Sequence, residues 1–201
     1  MNTLFRLGAI ATLLGLTACG SEPVHYYTLL SPSTSAAASP QPADFLIEVL
    51  PVGIPSNLDQ ELLVVRQGAS GLVMLYGERW ASPLSDEVRD AVSAELSQRL
   101  GAQDTAGLPQ PAGRPLLRIK LQIRRFDAWP GLRVQLDADW TLGFADDNTK
   151  NRLLCHGRFG QPADGGYPEM VAAQQRAIAT LAAKIEADAL QWAQSRNTAC
   201  S

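Results

Sequence analysis

Hydrophobic residues that recur at steps of three and four predict two amphipathic helices. The clearer one lies in SPLSDEVRDAVSAELSQRLG, where we expect Ser82 or Ser85 to cap the start and Gly101 to close the end. Its apolar stripe consists of Leu84, Val88, Ala91, Val92, Leu96 and Leu100. A second, alanine-rich helix is predicted from Pro168 to about Trp192.

A hydrophobic repeat of two predicts a pair of long strands over 117–144. Apolar residues alternate there with charged ones on either side of a DAWPG turn, so we expect antiparallel strands with one dry and one charged face. Basic residues of the first strand should lie across from acidic residues of the second. Shorter apolar runs predict five further strands, at 24–30, 45–52, 62–66, 72–76 and 152–159.

These elements together predict the fold class. Two helices and about six or seven strands favour an α+β fold, in which a largely antiparallel mixed sheet packs against two amphipathic helices. A Ser/Ala/Pro-rich stretch at 31–44 is expected to be a flexible connection within one domain, because the short strand before it is too apolar to stand alone in solvent.

Residues 1–18 predict a lipoprotein signal peptide. Arg6 is their only charge, and the apolar run that follows is shorter than the roughly 20 residues a transmembrane helix needs. The run ends in Leu-Thr-Ala-Cys, which resembles the bacterial lipobox, whose cysteine is acylated. We therefore expect lipidation of Cys19 and a mature domain at 19–201, the alternative being a buried core helix. Gly20, rather than aspartate, favours the outer membrane.

Composition excludes nucleic acid as the expected partner. The net charge is −3, and the 17 basic residues are spread along the chain. Hydrophobic residues at 46% and charged residues at 18% are ordinary for a globular domain.

Two cysteines remain if Cys19 is lipidated. Cys155 lies in a predicted strand and Cys200 near the end of the sequence, after the second helix. In an oxidising compartment they could form a disulfide. The alternative is a buried thiol and a frayed terminal residue, and the sequence leaves both open.

No catalytic, metal-binding or cofactor-binding pattern stands out in the sequence. His25 and His156 are the only histidines, and neighbouring strand residues such as Cys155 and His156 point to opposite faces and so cannot readily share a metal. The chain lacks a Gly-x-Ser-x-Gly elbow, a phosphate-binding Gly-Lys-Ser/Thr loop and a CxxC pair. The paired carboxylates are explained by a helix start, a turn and a cross-strand ladder. We expect no enzyme activity and no cofactor or metal.

Two tryptophans are candidates for a docking surface. Arg79 and Trp80 come just before the first helix, and Trp129 lies in the tight DAWPG turn. Aromatic residues beside arginine are common at protein interfaces. The alternative is that both tryptophans cap the core.

The chain resembles the PqiC/YmbA family, the auxiliary lipoproteins of ABC-type and MCE-type transport systems. The resemblance covers nearly the whole mature chain and rests on the lipobox cysteine, YYTL (26–29), LPVGIPSNLDQELLVVR (50–66), RWASPLSDEVRDAVSAEL (79–96), RFDAWPGLRVQLDADWTL (125–142) and the alanine-rich final helix. None of these segments is catalytic.

The resemblance implies a role in an assembly. It implies an MCE-domain protein and a membrane permease as partners, and movement of lipids or other hydrophobic molecules between the inner and outer membranes. The protein would be anchored by its acyl chains, palmitate among them, to the outer membrane and face the periplasm. A docking surface is hypothesised that contains Tyr26, Tyr27, Arg79, Trp80 and Trp129. Self-association into a homo-oligomer stays open.

Two other functions compete with this interpretation. A periplasmic hydrolase would need a nucleophile and base, for which the two histidines offer no visible partner. An envelope scaffold or an activator of cell-wall synthesis would need a linker long enough to cross the peptidoglycan. The 14-residue flexible stretch has a mean span of only about 20 Å.

Overall fold

A computed structural model describes residues 23–32, 42–109, 111, 113–147, 151–196 and 199–201. These residues form four strands, a helix, three more strands and a second helix, in that order. The predicted α+β class and strand number are therefore confirmed. The predicted signal peptide, Cys19 and residues 33–41 of the predicted flexible stretch lie outside the described residues. The elements are β1 (His25–Tyr27), β2 (Leu46–Val49), β3 (Leu62–Gln67), β4 (Gly71–Trp80), α1 (Leu84–Leu100), β5 (Leu116–Trp129), β6 (Arg133–Phe144), β7 (Leu153–Pro162) and α2 (Tyr167–Gln194).

The strands form two mixed sheets rather than the one sheet expected from the pattern. The smaller sheet has the order β1-β4-β3, and the larger has the order β2-β5-β6-β7. The pairs β1–β4 and β2–β5 are parallel, and the other three pairs are antiparallel. β2 is short and pairs only with the first part of β5, as far as Ile119. The later part of β5 meets β3 through side chains instead, for example where Arg66 Nε donates to Asp127 Oδ1 at 2.8 Å.

The first helix has the predicted ends but a different cap. Gly101 adopts the left-handed conformation at φ 58°, which a residue without Cβ accepts readily. Pro83, rather than Ser82 or Ser85, occupies the N-cap position, and none of the described side chains caps the helix. The Ser82 hydroxyl donates instead to the Glu87 carboxylate at 3.1 Å, so it bonds to the body of the first turn and not to its free N–H groups.

Both helices cover the apolar side of the larger sheet. They contact each other, α1 also contacts β2, and α2 contacts β5, β6 and β7. The dry face of β5 and β6 that the alternation predicts is buried beneath them, as Leu121 and Trp140 show. The opposite, charged face of the larger sheet stays open to solvent, with Arg124 and Arg158 extended over it.

Candidate functional site

A parallel pairing of β1 with β4 brings together four of the residues predicted to dock a partner. Tyr26 is in register with Arg79, and Tyr27 is in register with Trp80. The next backbone bond, from Ala81 N to Tyr27 O at 2.8 Å, continues the pairing into the loop before α1. The paired residues are 53 positions apart in sequence, so only the fold makes them neighbours.

Exposure divides these four residues. Tyr26 is 65% exposed, whereas Trp80 is 3% exposed and belongs to the hydrophobic core. Tyr27 is partly buried against the same core. The structure therefore removes Trp80 from the predicted docking surface, because a large indole at the end of a strand gains most free energy when it is covered by the core. Tyr26 and the half-buried Arg79 remain available for it.

Two polar atoms at this place have no hydrogen-bond partner among the described residues. They are Arg79 Nε and Glu78 Oε2, both buried. The other Glu78 oxygen, Oε1, lies 3.1 Å from His25 Nδ1 on the adjacent strand. A buried polar atom left unpaired costs free energy, so these two atoms are a local weakness of the fold at the end of β4.

Glu78 also acts on the phenol of Tyr27. Burial, followed by the neighbouring Glu78 carboxylate, raises the pKa of Tyr27 to about 12. Glu169 and Tyr167, from the start of α2, contribute to the same rise. The phenol is therefore a neutral hydrogen-bonding group at this site throughout the physiological pH range.

The buried carboxylate of Glu87 fixes the chain that leaves β1. Its Oε2 accepts hydrogen bonds from the Thr28 hydroxyl and from the Leu29 N–H, each at 2.8 Å. Glu87 lies in the first turn of α1, where a negative charge also interacts favourably with the helix dipole. This contact holds β1, and with it Tyr26, against the rest of the domain.

Trp129, the fifth predicted docking residue, lies elsewhere. Its indole Nε1 donates to the Gly68 carbonyl at 3.4 Å, in the turn that joins β3 to β4. The Arg133 guanidinium stacks over its ring at 4.7 Å. Since β4 begins at this turn and ends at Trp80, the strand separates Trp129 from the Tyr26 end by its whole length, about 30 Å. The structure does not bring these predicted residues into one surface.

The charged face of the larger sheet is a ladder of ion pairs. Arg124 Nε lies 2.6 Å from Asp139 Oδ2, and Arg158 Nε lies 3.3 Å from Asp137 Oδ1. Arg125 lies 3.7 Å from the same Asp137 carboxylate. The cross-strand pairing of basic β5 residues with acidic β6 residues is thus confirmed.

A disulfide joins Cys155 to Cys200 in the structure, with the two Cα atoms 5.7 Å apart. It brings the segment after α2 back onto β7. There the Ser201 N–H and hydroxyl both donate to Asp188 Oδ1, at 2.8 and 2.7 Å. Cys155, Asp188 and Cys200 lie close enough to suggest a metal site. Both sulfurs are bonded to each other, however, so no thiolate is free to bind a metal ion.

Sequence reasoning missed one surface feature. Leu72, Met74 and Tyr76 project from the solvent side of β4 and are 42%, 47% and 76% exposed. The sequence LVMLY (72–76) contained the signal, because a run of consecutive apolar residues is typical of a strand that is covered on both faces. Only one face of β4, that of Val73 and Leu75, packs against the core.

The described residues thus form an α+β domain with an exposed tyrosine and a half-buried arginine where a short parallel strand joins its smaller sheet. Neither described helix is long and apolar enough to cross a membrane. The model of the family described as ABC-type transport auxiliary lipoprotein component matches residues 27–186. The chain belongs to this family, and the resemblance seen in its sequence is confirmed.

Two curated relatives support the same assignment. The chain is 24% identical over 160 residues to the intermembrane transport lipoprotein PqiC of Escherichia coli K12, with 79% of this chain and 83% of that protein covered. The protein of the same name from Shigella flexneri matches with the same identity and coverage.

Solved structures show the same fold. Protein XCC0632 from Xanthomonas campestris superposes with a TM-score of 0.66 at 14% identity, covering 87% of this chain and all of that one. A crystal structure of an uncharacterized protein superposes with a TM-score of 0.64 at 21% identity, covering 83% of this chain and 99% of the other.

Proposed function

We propose that this protein is a non-catalytic docking subunit of an MCE-type intermembrane lipid transport system. It is anchored to the periplasmic side of the outer membrane through acyl chains on Cys19, which becomes the first residue after removal of residues 1–18. Its partners are an MCE-domain protein and the membrane permease of the same system. Its role is to hold the outer-membrane end of the transport path in place.

The observation that carries this proposal is the extent of the family match. Residues 27–186 run from the end of β1 to the last turns of α2, so the shared unit is the whole packed domain and not a short motif. The PqiC relatives are described as intermembrane transport lipoproteins, and the alignment to them covers most of both chains. The lipobox at Leu16–Cys19 agrees with that description.

The Tyr26 end of the smaller sheet supports the docking role. Tyr26 is exposed, Arg79 beside it is half-buried, and Glu87 fixes the strand of Tyr26 by holding the chain after β1. A rigid aromatic residue beside arginine is the combination that dominates many interfaces. An acyl anchor would raise the effective concentration of this end for a membrane-spanning partner.

The first experiment tests the anchor and the partners together. Cells that express the tagged protein are grown with an alkyne analogue of palmitate, their membranes are separated by density, and complexes are crosslinked before purification. We expect the wild-type protein to carry the label, to be found in the outer-membrane fraction, and to be recovered with the MCE-domain protein and the permease. The Cys19→Ala variant should carry no label and should be absent from the outer-membrane fraction. Recovery of cell-wall synthases in place of the transport components would overturn the proposal in favour of a scaffold or activator.

The second experiment tests the docking residues. Tyr26→Ala and Arg79→Ala change side chains at the surface, and Leu154→Ala is a control at an exposed position on β7. We expect each of the first two variants to reduce the crosslinked yield of the MCE-domain protein, and the two substitutions combined to reduce it by about tenfold, as interface anchors do. Equal yields from all three variants, with unchanged thermal unfolding, would exclude this end of the sheet.

A further inference from the structure

We propose that the exposed apolar strip of β4, formed by Leu72, Met74 and Tyr76, lies against the phospholipid surface of the membrane that holds the anchor. The proposal rests on acylation of Cys19, which is part of the proposed function. It specifies the face of the domain that lies toward the bilayer when the protein is anchored.

The strip is a surface without a partner within the described domain. Successive strand residues point to opposite faces, and the other face of β4, with Val73 and Leu75, packs on the core. On the strip side the exposed fraction rises from 42% at Leu72 to 76% at Tyr76. Three consecutive outward positions that are all large and apolar are unusual on a solvated strand.

The chain outside the structure begins beside this strip. β1 runs parallel to β4 with His25 opposite Glu78, so residues before His25 lie toward Gly77 and Tyr76. The Pro23 carbonyl oxygen lies beside Gly77, 3.8 Å from the position that a Cβ atom on Gly77 would occupy. Cys19 is four residues before Pro23. Four residues span at most about 14 Å, which bounds the distance from Pro23 to the acylated cysteine.

The bilayer itself sets the second distance. An acylated cysteine stays where the acyl chains enter the hydrocarbon, below a headgroup layer about 5–8 Å deep. Pro23 is therefore held at the headgroup layer or just above it. The strip extends from there by about 13 Å along β4 and presents leucine, methionine and tyrosine, residues that partition favourably into the membrane interface.

Strand pairing with a second copy would not cover the strip. β3 pairs with β4 on one side over Gly71–Leu75, whereas β1 pairs only with Glu78–Trp80 on the other. A strand added beside 71–77 would lengthen the sheet edge and leave the outward side chains uncovered, so a second copy could cover the strip only by stacking side chains on it. A lipid surface needs no such complementary partner.

Methionine oxidation gives a direct test, because the mature chain has two methionines. Met74 lies in the strip, and Met170 is 0% exposed. The acylated full-length mature protein is reconstituted in vesicles of phosphatidylethanolamine and phosphatidylglycerol and treated with chloramine-T, a charged oxidant that stays in water. Mass spectrometry follows sulfoxide at both positions. We expect Met74 of the vesicle-bound protein to react at least about fivefold more slowly than Met74 of Cys19→Ala protein in solution, with Met170 unreactive in both.

Matched variants identify the cause of protection. The double variant Leu72→Glu, Tyr76→Glu should still float with the vesicles but oxidise at Met74 as fast as soluble protein. Leu154→Glu, at another exposed leucine, should retain the protection.

The outcomes separate this proposal from the one it rests on. Protein that floats with the vesicles while Met74 stays reactive overturns the placement of the strip and leaves the anchor intact. Protein that does not float overturns the anchor. Protection of Met74 in Cys19→Ala protein without vesicles, increasing with protein concentration, would instead show that a second copy covers the strip and would overturn the proposal.

Discussion

The indole Nε1 of Trp140 donates a hydrogen bond to Asp188 Oδ2 at 3.0 Å, and Asp188 is 0% exposed. The bond ties α2 to the middle of β6. The other carboxylate oxygen accepts the Ser201 N–H and hydroxyl, so a buried acidic group here has three donors from two directions. A carboxylate is tolerated in a core only when it is hydrogen-bonded in this way.

Replacing Asp188 should destabilise the domain strongly. Asp188→Ala removes the acceptor and leaves the Trp140 N–H buried without a partner, so we expect the free energy of unfolding to fall by about 3 kcal/mol. Asp188→Asn keeps a carbonyl oxygen and should cost less. Urea denaturation measures both, with the exposed Asp90→Ala as control. A similar loss in Asp188→Ala and Asp90→Ala would show that the buried bonds contribute little.

Breaking the disulfide should weaken the same region. Cys155 and Cys200 are 45 residues apart, and closing a loop of this length stabilises a fold by about 4 kcal/mol in the chain-entropy model. We expect Cys200→Ser to lower the urea midpoint and to make it insensitive to dithiothreitol. The wild-type protein should fall to a similar midpoint once reduced. A wild-type midpoint that reductant does not change would contradict the prediction.

Glu87 and Asp86 offer a matched pair at the start of α1. Both lie in the first turn and interact with the helix dipole, but only Glu87 is buried and bonded to Thr28 and Leu29. We expect Glu87→Ala to lower the free energy of unfolding by about 2 kcal/mol more than Asp86→Ala, because it leaves the Leu29 N–H unpaired. Thermal unfolding of the two variants measures the difference, and equal melting temperatures would count against the role given to Glu87.

Alkaline pH should destabilise the fold through Tyr27. Its pKa is raised to about 12 in the folded protein from its ordinary value of 10.0, so between these values the folded state holds the phenol proton more tightly than the unfolded state. Stability from this group is complete below pH 10 and is lost as the pH rises toward 12. Urea unfolding at pH 9 and pH 11 should show a smaller loss for Tyr27→Phe than for wild type. An identical loss in both would assign the alkaline sensitivity to other groups.

Elements with a regular hydrophobic period could be predicted from the amino-acid sequence. The alternation across 117–144 predicted β5 and β6 and their cross-strand charge pairs, and the spacing of three and four predicted α1 to its last residue. These signals are local, because each records which side of a single element is covered. The family resemblance likewise followed from short segments in order.

Which elements become neighbours could not be predicted in this way. β1 has three residues and no periodicity of its own, yet it pairs with β4, where Tyr26 lies beside Arg79 and Trp80 is buried. The seven strands divide into two sheets, with no ladder between β5 and either β3 or β4 among the described residues. Trp80 and Trp129 look alike in sequence, and their separation follows from the direction of β4. Such contacts depend on the free energy of packing the whole chain, which no short stretch of sequence contains.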